Sequence, residues 1–349
     1  MSPLQLRSEL FVFDTPPLHG FPGLKMTAKR YYTSSSDPQG LTLLFAHGIG
    51  AHKEHWEPML RYLFSHQNMQ QQSCIREAWC FDWLNHGDAA VINKTALERR
   101  SPGDVSIAEW AAAIASFVKS PFLRDHRLVG LGHSAGSSAI ILATRSFPMR
   151  NQPFVAVFLL EPSMLTRELW MSHLVERETL MRRSTRATLR RPDMFDTWEE
   201  ASNYYRKRKP WAGWNHEVFD IFTQYGFHLV GTQDGSKKET KVALKCDLLH
   251  EALAYQDIES HFEATDQYTR LCRVVPVHIV FGTVPDYIPT YFQDCMTDVS
   301  QGRSPASVKR VTGAGHGILQ QTPEALARAV SVGLNSIMRD SASHLLHRL

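Results

Sequence analysis

The sequence predicts an α/β fold: a mostly parallel central sheet with helices on both faces and an inserted helical cap. Three observations carry that prediction. Short apolar runs of strand length alternate with segments of helical period, as expected of repeated β-α units around a parallel sheet. One unit, Arg127 to Ile141, carries the turn Gly132-His133-Ser134-Ala135-Gly136 between strand and helix. The alternation stops from about Ser163 to Leu271 and resumes at Val274. The 349 residues thus divide into a first core part (1–162), a cap (163–271) and a second core part (272–349).

Taken in order, Glu9–Phe13 and Met26–Thr33 are expected as strands of an antiparallel edge, joined by the Pro/Gly-rich loop Pro16–Gly23. Leu41–Ala46 is a continuous apolar run, the pattern of a strand buried on both faces by helices. It ends in His47-Gly48-Ile49-Gly50, and a helix is expected from about Trp56 to Gln67. Glu77–Asp82 is the next buried strand, followed by a polar, turn-prone loop, Trp83 to Ala90. Ser106 is a natural N-cap for a helix reaching Ser120, with Glu109 three residues on. The serine unit comes next, then Phe154–Leu160, ending at Glu161. Residues 163–271 read as mostly helical, amphipathic and charged, with no convincing buried strand. Val274–Phe281, a turn through Pro285-Asp286, Ser307–Val311, a Gly-rich loop through His316 and a helix Pro323–Met338 close the chain.

Composition excludes several classes. Hydrophobic residues make up 43% and charged residues 21%, which is ordinary for a globular protein. A net charge of +3 gives no footing for nucleic acid as the main partner. The five cysteines are scattered without CxxC spacing, which argues for a reducing compartment rather than a disulfide framework or zinc site. The start of the chain lacks the basic and apolar regions of a signal peptide, and no run approaches the roughly 20 apolar residues of a membrane span. No metal-ligand spacing, dinucleotide fingerprint or phosphate loop is present, so neither metal nor cofactor is expected.

The chemistry centres on Ser134. Gly-x-Ser-x-Gly between a strand and a helix holds the serine in a strained turn and lifts its hydroxyl above the sheet. The Ala135 amide, at the start of the helix, is then a candidate oxyanion donor, and the Ile49 amide after His47-Gly48 is the second. Acyl transfer by serine also needs a base and a carboxylate to orient it. His316, in the flexible loop Thr312–Gly317 after the last strand, is the candidate base. The acid is Glu161, at the end of the strand after the serine unit, or Asp286, which follows the strand Val274–Phe281. Glu161 is preferred because Asp286 comes one residue late in its loop, with Pro285 in the expected place. Trp56 is expected as a pocket wall.

In the cap, Arg182, Arg186 and Arg190 recur every four residues and share one helix face. They are either a solvated face or a grip for a polyanion such as the phosphates of coenzyme A. Trp170, Trp198, Trp211, Trp214, Phe219, Phe222 and Tyr225 are candidates to line an acyl or aromatic pocket. The chain ends His347-Arg348-Leu349, a variant of the Ser-Lys-Leu peroxisomal address, which would make the import receptor a partner and the peroxisome, otherwise the cytoplasm, the location.

Together these residues resemble the α/β-hydrolase superfamily over nearly the whole chain. Phe45-Ala46-His47-Gly48-Ile49-Gly50 and Asn85-His86-Gly87-Asp88-Ala89-Ala90 look like its fungal peroxisomal branch. That branch includes the acyl-CoA hydrolase of the mycophenolic acid pathway and hydrolases linked to polyketide toxin biosynthesis. The resemblance implies a serine hydrolase acting on an acyl (thio)ester, with acyl-CoA the leading substrate, in which some members take their acid from the position of Glu161. A lipase or carboxylesterase, an acyltransferase on the same triad, and a non-catalytic ligand-binding relative are the competing readings. The oligomeric state is left open, a homodimer included.

Overall fold

The structure, a computed structural model, describes residues 5–18, 20–69, 74–234 and 237–346. The C-terminal tripeptide His347-Arg348-Leu349 lies outside them. Eight strands form the central sheet: β1 (Arg7–Asp14), β2 (Lys25–Tyr32), β3 (Leu41–Ala46), β4 (Ile75–Phe81), β5 (Arg127–His133), β6 (Phe154–Leu160), and, after the insertion, β10 (Val277–Gly282) and β11 (Ser307–Val311). Their spatial order is β1-β2-β4-β3-β5-β6-β10-β11. β1 and β2 pair antiparallel, β2 meets β4 antiparallel, and every pair from β4 to β11 is parallel. The expected antiparallel edge and parallel body are both present.

Helices α1 (Glu57–Met69), α2 (Gly87–Leu97), α3 (Ile107–Val118) and α4 (Ala135–Ala143) connect the first strands. Ser106 caps α3 by accepting from the Glu109 amide at 3.2 Å. α3 and α4 are rich in alanine and serine because they cross closely on one face of the sheet. There Trp110, Ile114, Ala139 and Ile140 join Val157 and Ile279 in one core. On the other face, residues of α1 such as Met59 and Leu63 meet Leu326, Val330 and Leu334 of α13 (Pro323–Leu346). Each buried aliphatic side chain there stabilises the fold by roughly 1.5–3 kcal/mol. The sheet is therefore clad on both sides, and its strands' C-terminal ends are left for the site.

Two expectations need correction. The loop Trp83–Ala90 is cut short because α2 begins at Gly87. That residue has φ +53° and packs its bare Cα against Asp82, where a Cβ would sit 2.4 Å from the carboxylate. The insertion is also not wholly helical. Besides α5 (Arg167–Ser172), α6 (Leu174–Leu189), α7 (Trp198–Arg206), α8 (His216–Tyr225), α9 (Leu248–Ala254) and α10 (Ile258–Leu271), it holds three strands. These are β7 (Met194–Phe195), β8 (Phe227–Asp234) and β9 (Lys237–Leu244), in a separate antiparallel sheet ordered β7-β9-β8. Lys-Lys-Glu-Thr-Lys at the start of β9 hides the strand behind helix-like polarity. α10 returns to the core, where Ala264, Tyr268 and Leu271 join the cluster around α4. The remaining helices are α11 (Thr290–Met296) and α12 (Ile318–Gln321).

Candidate active site

Ser134 takes φ 53° and ψ −122°, a conformation that a residue with a Cβ reaches only under strain. Packing holds it there. A Cβ on Gly132 would lie 2.3 Å from the Gly136 carbonyl oxygen, and one on Gly136 would lie 2.1 Å from that of Ala46. Both positions need glycine because β5, α4 and the end of β3 approach backbone to backbone. This approach sets the loop after β3 beside the N-terminus of α4. Among the described residues, neither the Ile49 nor the Ala135 amide has a backbone partner outside the regular elements.

His47 fixes that loop. Its Nε2 accepts from the Trp83 amide at 3.1 Å, so Nδ1 carries the proton and donates to the Gly48 carbonyl at 2.7 Å. His47 is thus a buried strut.

His316 stands over Ser134. The serine hydroxyl lies 2.9 Å from His316 Nε2, and Nδ1 faces Glu161 Oε2 at 3.5 Å. The second contact is long, as it often is before a substrate is bound. Glu161 is 3% exposed and sits at φ 47°, another strained non-glycine position. Its other oxygen accepts from the Gly282 amide at 2.5 Å, which aims the carboxylate. Asp286 is exposed and takes a different place. Its Oδ1 accepts from the backbone amides of His316 at 2.7 Å and Tyr287 at 2.6 Å, and Gly315 makes room for it. The structure thus brings Ser134, His316 and Glu161 into one chain of side chains, with Asp286 on the His316 backbone.

Sequence reasoning missed two neighbours of His316. His133, inside the serine turn, donates from Nε2 to the His316 carbonyl at 2.8 Å, and Tyr287 stacks on the His316 ring at 5.1 Å. His133 could have been found from its place in the pentapeptide. Tyr287 carried no signal beyond its place after Asp286.

These groups line a cavity of about 280 Å³ whose walls are largely apolar, including Leu165, Trp170, Met181, Trp214 and Phe292. Trp170 and Trp214 are on its lining. Trp211, Phe219 and Phe222 instead pack with Tyr205 and Phe227 in a cluster internal to the insertion. Trp56, expected as a pocket wall, is wholly buried in the core on the α1 side of the sheet, 4.8 Å from the Phe45 ring. It precedes α1, whose apolar face turns toward the sheet and carries the indole with it. The arginine trio is also elsewhere. Arg182, Arg186 and Arg190 are exposed, Arg182 pairs with Glu178 at 2.6 Å, and none lines the cavity. The arginine of α6 that does is Arg177. Arg186 lies about two and a half turns beyond it, on the opposite face.

Burial keeps His47, His52, His55 and His86 below the usual imidazole range, and burial followed by the nearby His316 lowers His133 to about 3. In the unfolded chain each titrates near 6.5. Between the two values the unfolded state binds more protons, so stability is full above about pH 6.5 and is lost as pH falls below it. The expected slope is on the order of 1 kcal/mol per pH unit for each such histidine. Denaturant midpoints measured at pH 7.5 and pH 5 should show a clear loss at the lower value. Equal midpoints would contradict the neutral burial of these rings.

A model of the alpha/beta hydrolase family matches residues 43–329. This chain belongs to the alpha/beta hydrolase family. No curated protein sequence matches it. Among solved structures, this hydrolase is similar to the peroxisomal alpha-beta-hydrolase Lpx1 of Saccharomyces cerevisiae, with 16% identity, a TM-score of 0.73, and 97% of this chain and 91% of that one covered. It is also similar to a thioesterase domain from the curacin biosynthetic pathway (18% identity, TM-score 0.60, 94% and 99% covered). A third is a Mycobacterium tuberculosis esterase (14% identity, TM-score 0.63, 94% and 92% covered). At these identities the likeness is one of fold. Among the described residues, no helix of this hydrolase is long and apolar enough to cross a membrane.

Proposed function

We propose that the protein is a serine hydrolase that cleaves a thioester or ester through an acyl-enzyme. Ser134 attacks the acyl carbonyl while His316 Nε2 takes its proton. Glu161 holds the ring and stabilises the imidazolium that forms, and the Ile49 and Ala135 amides receive the oxyanion. His316 returns the proton to the leaving thiol or alcohol, and water then releases the acid by the same steps. The observation that carries this reading is the 2.9 Å contact between the Ser134 hydroxyl and His316 Nε2, with Glu161 on the far side of the ring. Asp286 serves as a positioning residue for the His316 backbone. The insertion 163–271 acts as the cap, and its Trp170 and Trp214 close the acyl pocket.

The preferred substrate is an acyl-CoA, with a simple ester the runner-up, and the location is the peroxisome. Support comes from the closing tripeptide His347-Arg348-Leu349 and from the sequence resemblance to fungal peroxisomal acyl-CoA hydrolases. The exposed arginine trio lends none. A fluorophosphonate probe should label Ser134 in the folded protein, and a panel of acyl-CoAs and simple esters should show turnover of the thioesters. A protein that resists the probe is a ligand-binding relative instead. Removing the last three residues should move a fluorescent fusion carrying them at its end from puncta to the cytosol. Puncta that persist would refute the address.

A further inference from the structure

The acyl pocket contains a buried cation that the proposed chemistry does not use. Arg177 extends from α6 into the cavity wall and is 6% exposed. Its Nη2 donates to Glu176 Oε1 at 2.5 Å, but the Glu176 side chain is 51% exposed. That pairing is divided between the cavity wall and water. Arg177 Nε is enclosed and, among the described residues, has no hydrogen-bond partner. The rings of Tyr291 and Phe292 lie 5.5 and 5.4 Å from the guanidinium carbon, and the Tyr291 hydroxyl meets both Arg177 and Glu176 Oε1, the latter at 3.4 Å, but neither ring supplies a second anion. Asp286, the carboxylate on the cavity lining, has an oxygen committed to the His316 and Tyr287 amides.

A guanidinium removed from water to this degree is costly unless an anion and further acceptors meet it. Its fork of donors matches a carboxylate held by two parallel hydrogen bonds. The remaining walls are apolar, so the ligand that completes the site is a hydrocarbon bearing one negative group. A cavity of about 280 Å³ is at the small end of ligand sites, which commonly span ~300–1,000 Å³. It suits an acyl group far better than a whole nucleotide thiol. We infer that Arg177 selects acyl groups that carry a second carboxylate, making half-thioesters or half-esters of dicarboxylic acids the favoured substrates. This inference rests on the serine-hydrolase reading above.

The test compares half-thioesters of dicarboxylic acids with monocarboxylic thioesters of equal chain length, all on N-acetylcysteamine, an uncharged thiol. The wild-type protein should favour the carboxylated acyl group in kcat/KM by about 10- to 100-fold, the range of a charge-assisted contact. Arg177→Met should remove most of that ratio, Arg177→Lys should retain part of it, and Glu176→Gln, which frees the guanidinium, should raise it. Fluorophosphonate labelling of Ser134 shows that each variant keeps a formed site. Should Arg177→Met fail to fold, Arg177→Lys and Glu176→Gln decide through the same ratio. Equal rates on the paired wild-type substrates overturn the inference, as does a ratio that no variant moves. The monocarboxylic acyl groups are also presented on coenzyme A. If Arg177 matters there and not for the dicarboxylic series, the anion belongs to the leaving group and the inference fails. Absence of both labelling and turnover on every substrate is the separate failure of the hydrolase reading.

Discussion

Ser134→Ala is expected to lower kcat/KM for the best substrate by on the order of 10⁴- to 10⁶-fold and to abolish fluorophosphonate labelling. Removing the hydroxyl removes the nucleophile, leaving only the donors and the binding pocket to assist attack by water. The change should leave the fold intact. Alanine keeps a Cβ at the same φ of 53°, and the strain there is imposed by Gly132 and Gly136 packing, which the substitution does not touch. The paired measurement is the thermal midpoint, expected within a few degrees of wild type. A folded variant that retains activity within about tenfold would remove Ser134 from the chemistry and the acyl-enzyme with it.

Glu161→Gln should cost on the order of 10³- to 10⁴-fold in kcat/KM, with a smaller effect on KM. The substitution preserves shape and can keep the acceptor for the Gly282 amide. What faces His316 Nδ1 is then an amide nitrogen, which donates where a carboxylate accepted. That favours the tautomer with its proton on Nε2, and such a ring cannot take the Ser134 proton. Asp286→Asn keeps an oxygen for the His316 and Tyr287 amides and is expected to fall within about tenfold of wild type. Assayed side by side, the two variants give a ranking. If Asp286→Asn proves the more damaging, the acid role passes to Asp286 and Glu161 becomes a strand-end carboxylate held by Gly282.

Much of this site was legible in the chain. Ser134 and His316 were assigned their places from a five-residue turn and a Gly-rich loop, and the structure sets them 2.9 Å apart. The choice between Glu161 and Asp286 stayed open because both follow strands whose ends point at the site. Only the position of each carboxylate, one against an imidazole and one against a backbone, separates them. Arg182, Arg186 and Arg190 misled for a related reason. A four-residue repeat states that side chains share a face but not which face meets the cavity, and Arg177 stands on the other one. Trp56 misled because its place beside the oxyanion loop suggested the pocket. The strands of the insertion were hidden because, among the described residues, β8 and β9 bury only Phe227, Val242 and Ala243, so their alternation is faint. The Asp234-Gly235 pair between them was the available turn signal.

What the sequence determined by itself was the doubly clad parallel sheet, the strained serine turn and the order of serine, acid and histidine. The sheet and the turn follow from interactions within single β-α units, where period, glycine and small residues leave the backbone few alternatives, and the order follows from which strand-end loop carries each residue. The tertiary structure alone decided which carboxylate meets His316, which arginine lines the cavity and how the insertion folds. The carboxylate's contact with His316 joins residues more than a hundred positions apart, and contacts of that range leave no local pattern.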